Sequence, residues 1–119
     1  MPSNKEFNHI MRGLRTQIEA LAGLTVRKYR KQAARDGKRM LTAMKKDLKR
    51  WTDLLDQGAL TPTDFEWLVN SQTDSIKMSA LERAGLATIR ADAFKKSVFN
   101  LIIDAAFDVI LDEDDSTPA

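Results

Sequence analysis

The fold is decided by residues 7–55, which read FNHIMRGLRTQIEALAGLTVRKYRKQAARDGKRMLTAMKKDLKRWTDLL. An apolar or small residue recurs there at every third or fourth position, and no proline interrupts the series. Its average step of about 3.7 residues is close to one turn of an α-helix. This apolar stripe predicts one long, nearly straight amphipathic helix over about residues 4–57. Its members are Phe7, Met11, Leu14, Ile18, Ala22, Val26, Tyr29, Ala33, Gly37, Met40, Met44, Leu48, Trp51 and Leu55.

Glycines inside the stripe are the points at which the long helix could break. The pair Asp36-Gly37 is typical of a turn. The stripe nevertheless keeps its phase across the pair, and Gly37 falls on the apolar face, where a missing side chain lets another helix come close. We therefore predict a continuous helix, with a break near Gly23 or Gly37 as the alternative.

The second half of the chain is also predicted to be helical. Gly58 is a candidate helix C-cap, and Thr61, Pro62 and Asp64 form the pattern of a capping box with proline at the first helical position. We expect a loop at 58–61 and helices over about 62–70 and 74–112. The predicted fold class is all-α: a long antiparallel helical hairpin in one domain, 1–112, followed by a flexible acidic tail, 113–119.

Composition excludes several classes of function. The 119 residues contain no cysteine, and the single histidine, His9, has no partner pattern for a metal or catalytic site. Asp104 and Asp108 lie one helical turn apart, a spacing that is unspecific without further ligands. The charged N-terminus is unlike a signal peptide, and no apolar run approaches the roughly 20 residues of a membrane span. We expect a soluble, cytoplasmic, non-enzymatic protein with no cofactor, no metal and no transmembrane segment.

The last predicted helix carries more apolar surface than one neighbouring helix can cover. Apolar side chains nearly encircle residues 94–111, and such a helix requires several neighbours. A two-helix hairpin does not supply them, so we predict that two copies associate into a helical bundle or coiled coil. The candidate interface residues of this homodimer are Phe94, Val98, Phe99, Ile102, Ile103, Phe107 and Ile110.

Charge is divided unevenly along the chain. Residues 1–60 carry a net charge of +8 and residues 61–119 carry −6, which gives +2 overall. On a helix, most cations between positions 27 and 50 fall within an arc of about 140°, opposite the apolar stripe. This basic face consists of Arg27, Lys28, Lys31, Arg35, Lys38, Arg39, Lys45, Lys46, Lys49 and Arg50.

Two hypotheses of function follow from these patterns. The first is a helical self-association or adaptor protein, which rests on the apolar surplus of residues 94–111. The alternative is binding of a polyanion by the basic face, either the nucleic-acid backbone, an acidic membrane surface or another acidic partner. A solvated face that binds nothing accounts for the same pattern, because solvent exposure is the usual state of Lys and Arg.

Overall fold

The protein is all-helical across residues 4–110, the part that the computed structural model describes. Its five α-helices are α1 (Asn4–Thr25), α2 (Arg30–Asp56), α3 (Pro62–Asn70), α4 (Ser79–Arg83) and α5 (Thr88–Ile110). Single 3-10 turns at Arg27–Tyr29 and Thr73–Ser75 precede α2 and α4. No strand is present within this range, so the predicted all-α class is confirmed. The acidic tail, 113–119, lies outside the described residues.

The predicted single helix over 4–57 is wrong, because the chain turns back at Val26. This residue has φ −137° and ψ 53°, outside the helical region. Its carbonyl accepts a hydrogen bond from Tyr29 N at 2.7 Å, which closes the tight turn. The break falls three residues after Gly23, one of the two alternatives, and Val26 itself stays buried. A straight helix of about 50 residues would span roughly 75 Å, whereas the longest dimension of the described chain is 49 Å.

The turn makes α1 and α2 an antiparallel pair that meets along the apolar stripe. The Lys38 ammonium pairs with Glu19, and the Lys49 ammonium lies 5.8 Å from the ring centroid of Phe7. Next to the first of these contacts the helices come close together at Gly37, where an added Cβ would lie 2.6 Å from Ile18 Cγ2. The prediction that Gly37 permits a close helix approach is therefore confirmed. All stripe residues are buried except Tyr29, which is half-buried.

Helix α5 runs antiparallel to α1 and completes the core. At one end Arg90 Nη2 donates to the Thr25 carbonyl at 3.4 Å, and at the other Val109 and Ile10 line the same surface groove. Helix α3 covers the C-terminal part of α5 through Phe65, whose ring centroid is 5.8 Å from that of Phe107. The predicted capping box of α3 is confirmed, with both Thr61–Asp64 hydrogen bonds formed.

The apolar surplus on α5 is covered by the chain itself. Helices α1, α2, α3 and α4 all contact α5. Of the seven candidate interface residues, Phe107 is half-buried and the others are buried in the core of the single chain. The packing requirement that predicted a second copy is therefore met without one, because the break at Val26 supplies an extra helix. Self-association itself stays a prediction.

The predicted helix over 74–112 is wrong in its first part. After the turn at 73–75 the backbone is extended at Ile76, α4 is a five-residue helix, and Gly85 adopts φ +97° before α5 begins. This irregular segment buries Met78, Leu81 and Leu86, whereas Ala80 and Ala84 are half-buried and Ala87 is exposed.

Two buried charged side chains hold this segment to the helices. The Asp36 carboxylate of α2 accepts hydrogen bonds from Ala80 N at 3.0 Å and Leu81 N at 2.8 Å, so it caps the N-terminus of α4 from another helix. The Lys95 ammonium of α5 donates to the carbonyls of Thr73 and Ile76, both at 2.8 Å. Each charge is buried but satisfied by backbone groups, the condition under which burial of a charge is tolerated.

We predict that Gly37→Ala destabilises the fold. Ile18 is fully buried and branched at Cβ, so the new methyl displaces the α1 backbone at a cost of about 1–3 kcal/mol. The matched control is Gly13→Ala in α1, where nothing lies within 4 Å of the added Cβ. That substitution should stabilise the protein by about 0.5–1 kcal/mol through helix propensity. Urea unfolding measures both, and equal effects would contradict the close approach at Gly37.

We also predict that Asp36→Asn loosens α4. The amide retains a single acceptor oxygen for two N–H donors and loses the charge, so the free energy of unfolding should fall by about 1–3 kcal/mol. Hydrogen exchange at Ala80 and Leu81 should accelerate more than exchange in α1. Asp47→Asn is the control, because Asp47 lies on α2 like Asp36 but pairs with Arg50 at the exposed surface. This substitution should lower the free energy of unfolding by less than about 1 kcal/mol. Unchanged exchange at Ala80 and Leu81 would refute the capping role.

Candidate functional site

The basic face of α2 points away from the core. Its ten predicted cations are exposed except Lys38 and Lys49, which are half-buried. This orientation follows from the stripe, because packing Met40, Met44 and Leu48 inward turns the opposite side of the helix to solvent. The sequence therefore correctly predicted that these side chains face solvent, but Arg27 and Lys28 lie in the 3-10 turn before α2 and not on the helix itself.

Four of the ten cations are neutralised by neighbouring carboxylates. Lys38 pairs with Glu19 of α1, and Arg39 Nη2 lies 3.2 Å from the Asp36 carboxylate. Lys49 contacts both oxygens of Asp53 at 2.8 and 2.9 Å. Arg50 Nη2 lies 3.0 Å from Asp47.

The other six cations are exposed and form no ion pair with the described residues. Four of them, Arg27, Lys28, Lys31 and Arg35, form the amino-terminal cluster. The remaining two, Lys45 and Lys46, form the lysine pair. Ten residues separate Arg35 from Lys45, which corresponds to about 15 Å along the helix axis. The paired side chains of Lys38 and Arg39 lie between the two groups, so the face is divided into two positive patches.

A groove adjoins the lysine pair between α2 and the first turns of α1. This lysine groove has a volume of about 500 Å³ and is lined by Phe7, Asn8, Thr42, Ala43, Lys45, Lys46 and Lys49. Its lining combines three ammonium groups with the Phe7 ring, the Asn8 amide and the Thr42 hydroxyl. No acidic side chain is among these residues. The arrangement is suited to an anion rather than to a cation.

Four acids of the second half lie on a different surface, together with Lys77, Lys95 and Lys96. Glu66, Asp74, Glu82 and Asp92 line a cleft of about 730 Å³ between α3, α4 and α5. No residue of α1 or α2 lines that cleft. The described acids of the second half therefore leave the amino-terminal cluster and the lysine pair unneutralised, and the charge asymmetry of the sequence persists in the fold.

The remaining sequence candidates do not assemble into a site. His9 is exposed on α1, and Asp104 and Asp108 are exposed on α5. No group of three potential ligands for a metal ion occurs in the described range. None of the helices between residues 4 and 110 is long and apolar enough to cross a membrane.

Sequence reasoning missed Glu19 as the partner of Lys38. The two residues are 19 positions apart and meet only because the chain reverses at Val26. It also missed the role of Asp36, which was placed inside a continuous helix, with a turn at Asp36-Gly37 as the alternative. Neither role has a local signal in the sequence, because each contact joins helices that are distant along the chain.

Comparisons of the chain with protein-family models, with curated proteins and with solved structures give no match. Inference of function therefore rests on the described side chains. Among these, the unpaired cations of α2 and of the 3-10 turn before it are the feature that points most directly to a ligand.

Proposed function

We propose that this protein is a non-enzymatic polyanion-binding protein and that its ligand is the phosphate backbone of nucleic acid. The observation that carries the proposal is the set of six exposed cations, two on the 3-10 turn before α2 and four on α2 itself, that lack a carboxylate partner in the described chain. Such cations displace condensed counterions from phosphates, which is the main source of sequence-independent affinity.

The spacing of the two patches favours a long ligand. Lys31 and Lys46 are fifteen positions apart on α2, which corresponds to about 22 Å along the helix axis. Duplex DNA rises about 3.4 Å per base pair, so roughly seven base pairs span this distance. The contacts come from long, flexible side chains to phosphates, which position a duplex without reading its sequence.

We predict that the salt dependence of binding follows the number of unpaired cations. Lys45→Gln plus Lys46→Gln should weaken binding of a 12-base-pair duplex and reduce the slope of log K against log salt by about 2. Glu19→Gln should do the opposite, because it releases Lys38 and steepens the slope by about 1. Fluorescence anisotropy of a labelled duplex across a salt series measures both slopes.

Matched controls separate this surface from net charge. Lys77→Gln plus Lys96→Gln removes two cations that line the acidic cleft, and Glu66→Gln removes one acid there. These variants should leave the slope within about 0.5 of the unmodified protein. Absence of duplex binding at low salt would refute the proposal. Binding only to vesicles that contain anionic lipid would replace nucleic acid with a membrane surface as the ligand.

Self-association is a second candidate function, and exposed apolar side chains at one end of the bundle favour it. Leu24 is 76% exposed and Ile89 is 80% exposed. The residues that follow them, Thr25 and Arg90, are joined by a hydrogen bond, so both apolar side chains belong to the same end. Contact between the same ends of two copies would bury Leu24 and Ile89.

We predict that Leu24→Gln plus Ile89→Gln shifts the protein towards monomer. Burial of a large aliphatic side chain is worth about 1.5–3 kcal/mol, so the double substitution should weaken association at least tenfold. Sedimentation equilibrium at micromolar concentrations measures this. Trp67→Gln, which changes a 69% exposed side chain on α3, is the control and should have no effect. A monomer without substitution would refute self-association.

A further inference from the structure

The lysine groove marks the end of the row of unpaired cations. The row begins at Arg27 and stops at Lys46, beside the groove. Beyond Lys46, the next two cations of the face, Lys49 and Arg50, are paired with Asp53 and Asp47. A nucleic-acid strand whose phosphates contact these cations in order therefore reaches the last unpaired cation of the basic face at the groove.

The groove carries about two unbalanced positive charges. Lys49 is held by both oxygens of Asp53 and lies over the Phe7 ring, so its charge is balanced and its position fixed. Lys45 and Lys46 are exposed on the same rim and have no carboxylate partner among residues 4–110. The unsatisfied charge matches a dianion better than a monoanion.

The polar groups beside the lysines suit an organic phosphate. The Asn8 amide can donate a hydrogen bond into the groove. The Thr42 hydroxyl already donates to the Lys38 carbonyl at 3.0 Å, which leaves its oxygen as an acceptor for a ligand hydroxyl. The volume of about 500 Å³ lies within the usual range of small-molecule sites, roughly 300–1,000 Å³.

From these observations we propose that the lysine groove binds a phosphate monoester, the terminal phosphate of a nucleic-acid strand. The inference rests on the proposed function and adds the chemistry of this subsite. A phosphodiester inside a strand carries one negative charge, whereas a monoester carries about 1.5–2 at pH 7 because its second pKa is near 6. The two positive charges of Lys45 and Lys46 match the negative charge of the monoester. The phosphate of a free mononucleotide has the same chemistry.

The test compares the full chain binding to oligonucleotide duplexes of one sequence that end in a 5′-phosphate, a 3′-phosphate or hydroxyls only. We expect one of the phosphorylated duplexes to bind about tenfold more tightly than the hydroxyl duplex at pH 7.5. The preference should shrink at about pH 5, where the monoester carries a single charge. AMP should compete and adenosine should not. If AMP binds as tightly as the phosphorylated duplex, the free nucleotide is the source of the phosphate.

Two double variants of equal charge locate the effect. Lys45→Gln plus Lys46→Gln should abolish the preference for the phosphorylated end. Lys28→Gln plus Lys31→Gln should weaken all duplexes equally and preserve the preference, and circular dichroism confirms that both variants fold. Salt-dependent binding with equal affinity for all three ends would overturn the terminal site while leaving the proposed function intact. Absence of any duplex binding would instead refute the proposed function.

Discussion

The close approach of α1 and α2 at Gly37 is the contact on which the rest of the structure depends. The Ile18 side chain occupies the space in which any larger residue at position 37 would place its Cβ. Because α1 and α2 lie so close together at Gly37, the two halves of the apolar stripe cover each other. This burial of apolar surface stabilises the hairpin. It also fixes the rotation of α2, so that the basic face points outward and Asp36 points towards α4.

Two buried charged side chains, together with the buried Met78, Leu81 and Leu86, hold the part of the chain between α3 and α5. Asp36 supplies the acceptor for the first turn of α4, and Lys95 supplies donors for the carbonyls of Thr73 and Ile76. Removing a charge from water is costly unless hydrogen bonds replace those of the solvent. Both groups meet that condition, and their geometry joins α2 and α5 to a segment with little regular structure of its own.

The sequence predicted burial better than it predicted chain path. A turn at Val26 that keeps the helical phase leaves the same residues facing the core, so periodicity alone does not distinguish a straight helix from a folded one. The α3 capping box was correct because its hydrogen bonds are local. The packing argument for an interface on α5 was incomplete, because the single chain already buries Phe99 and Ile102 and four of its own helices contact α5. Self-association stays a prediction. The sequence predicted that the basic face points outward, but not that paired side chains divide it into two patches. One of those pairs, Lys38 with Glu19, forms only because the chain reverses at Val26.

Division of the basic face has a physical consequence for any polyanion. Each patch alone offers few cations, and exposed ion pairs are individually weak and screened by salt. A ligand that reaches both patches binds them together, and the second contact then gains from the high effective concentration that the first one creates. A duplex is stiff over this distance and loses little conformational freedom in bridging it. A flexible strand of equal charge loses more, so the two-patch geometry favours duplex nucleic acid over a flexible polyanion.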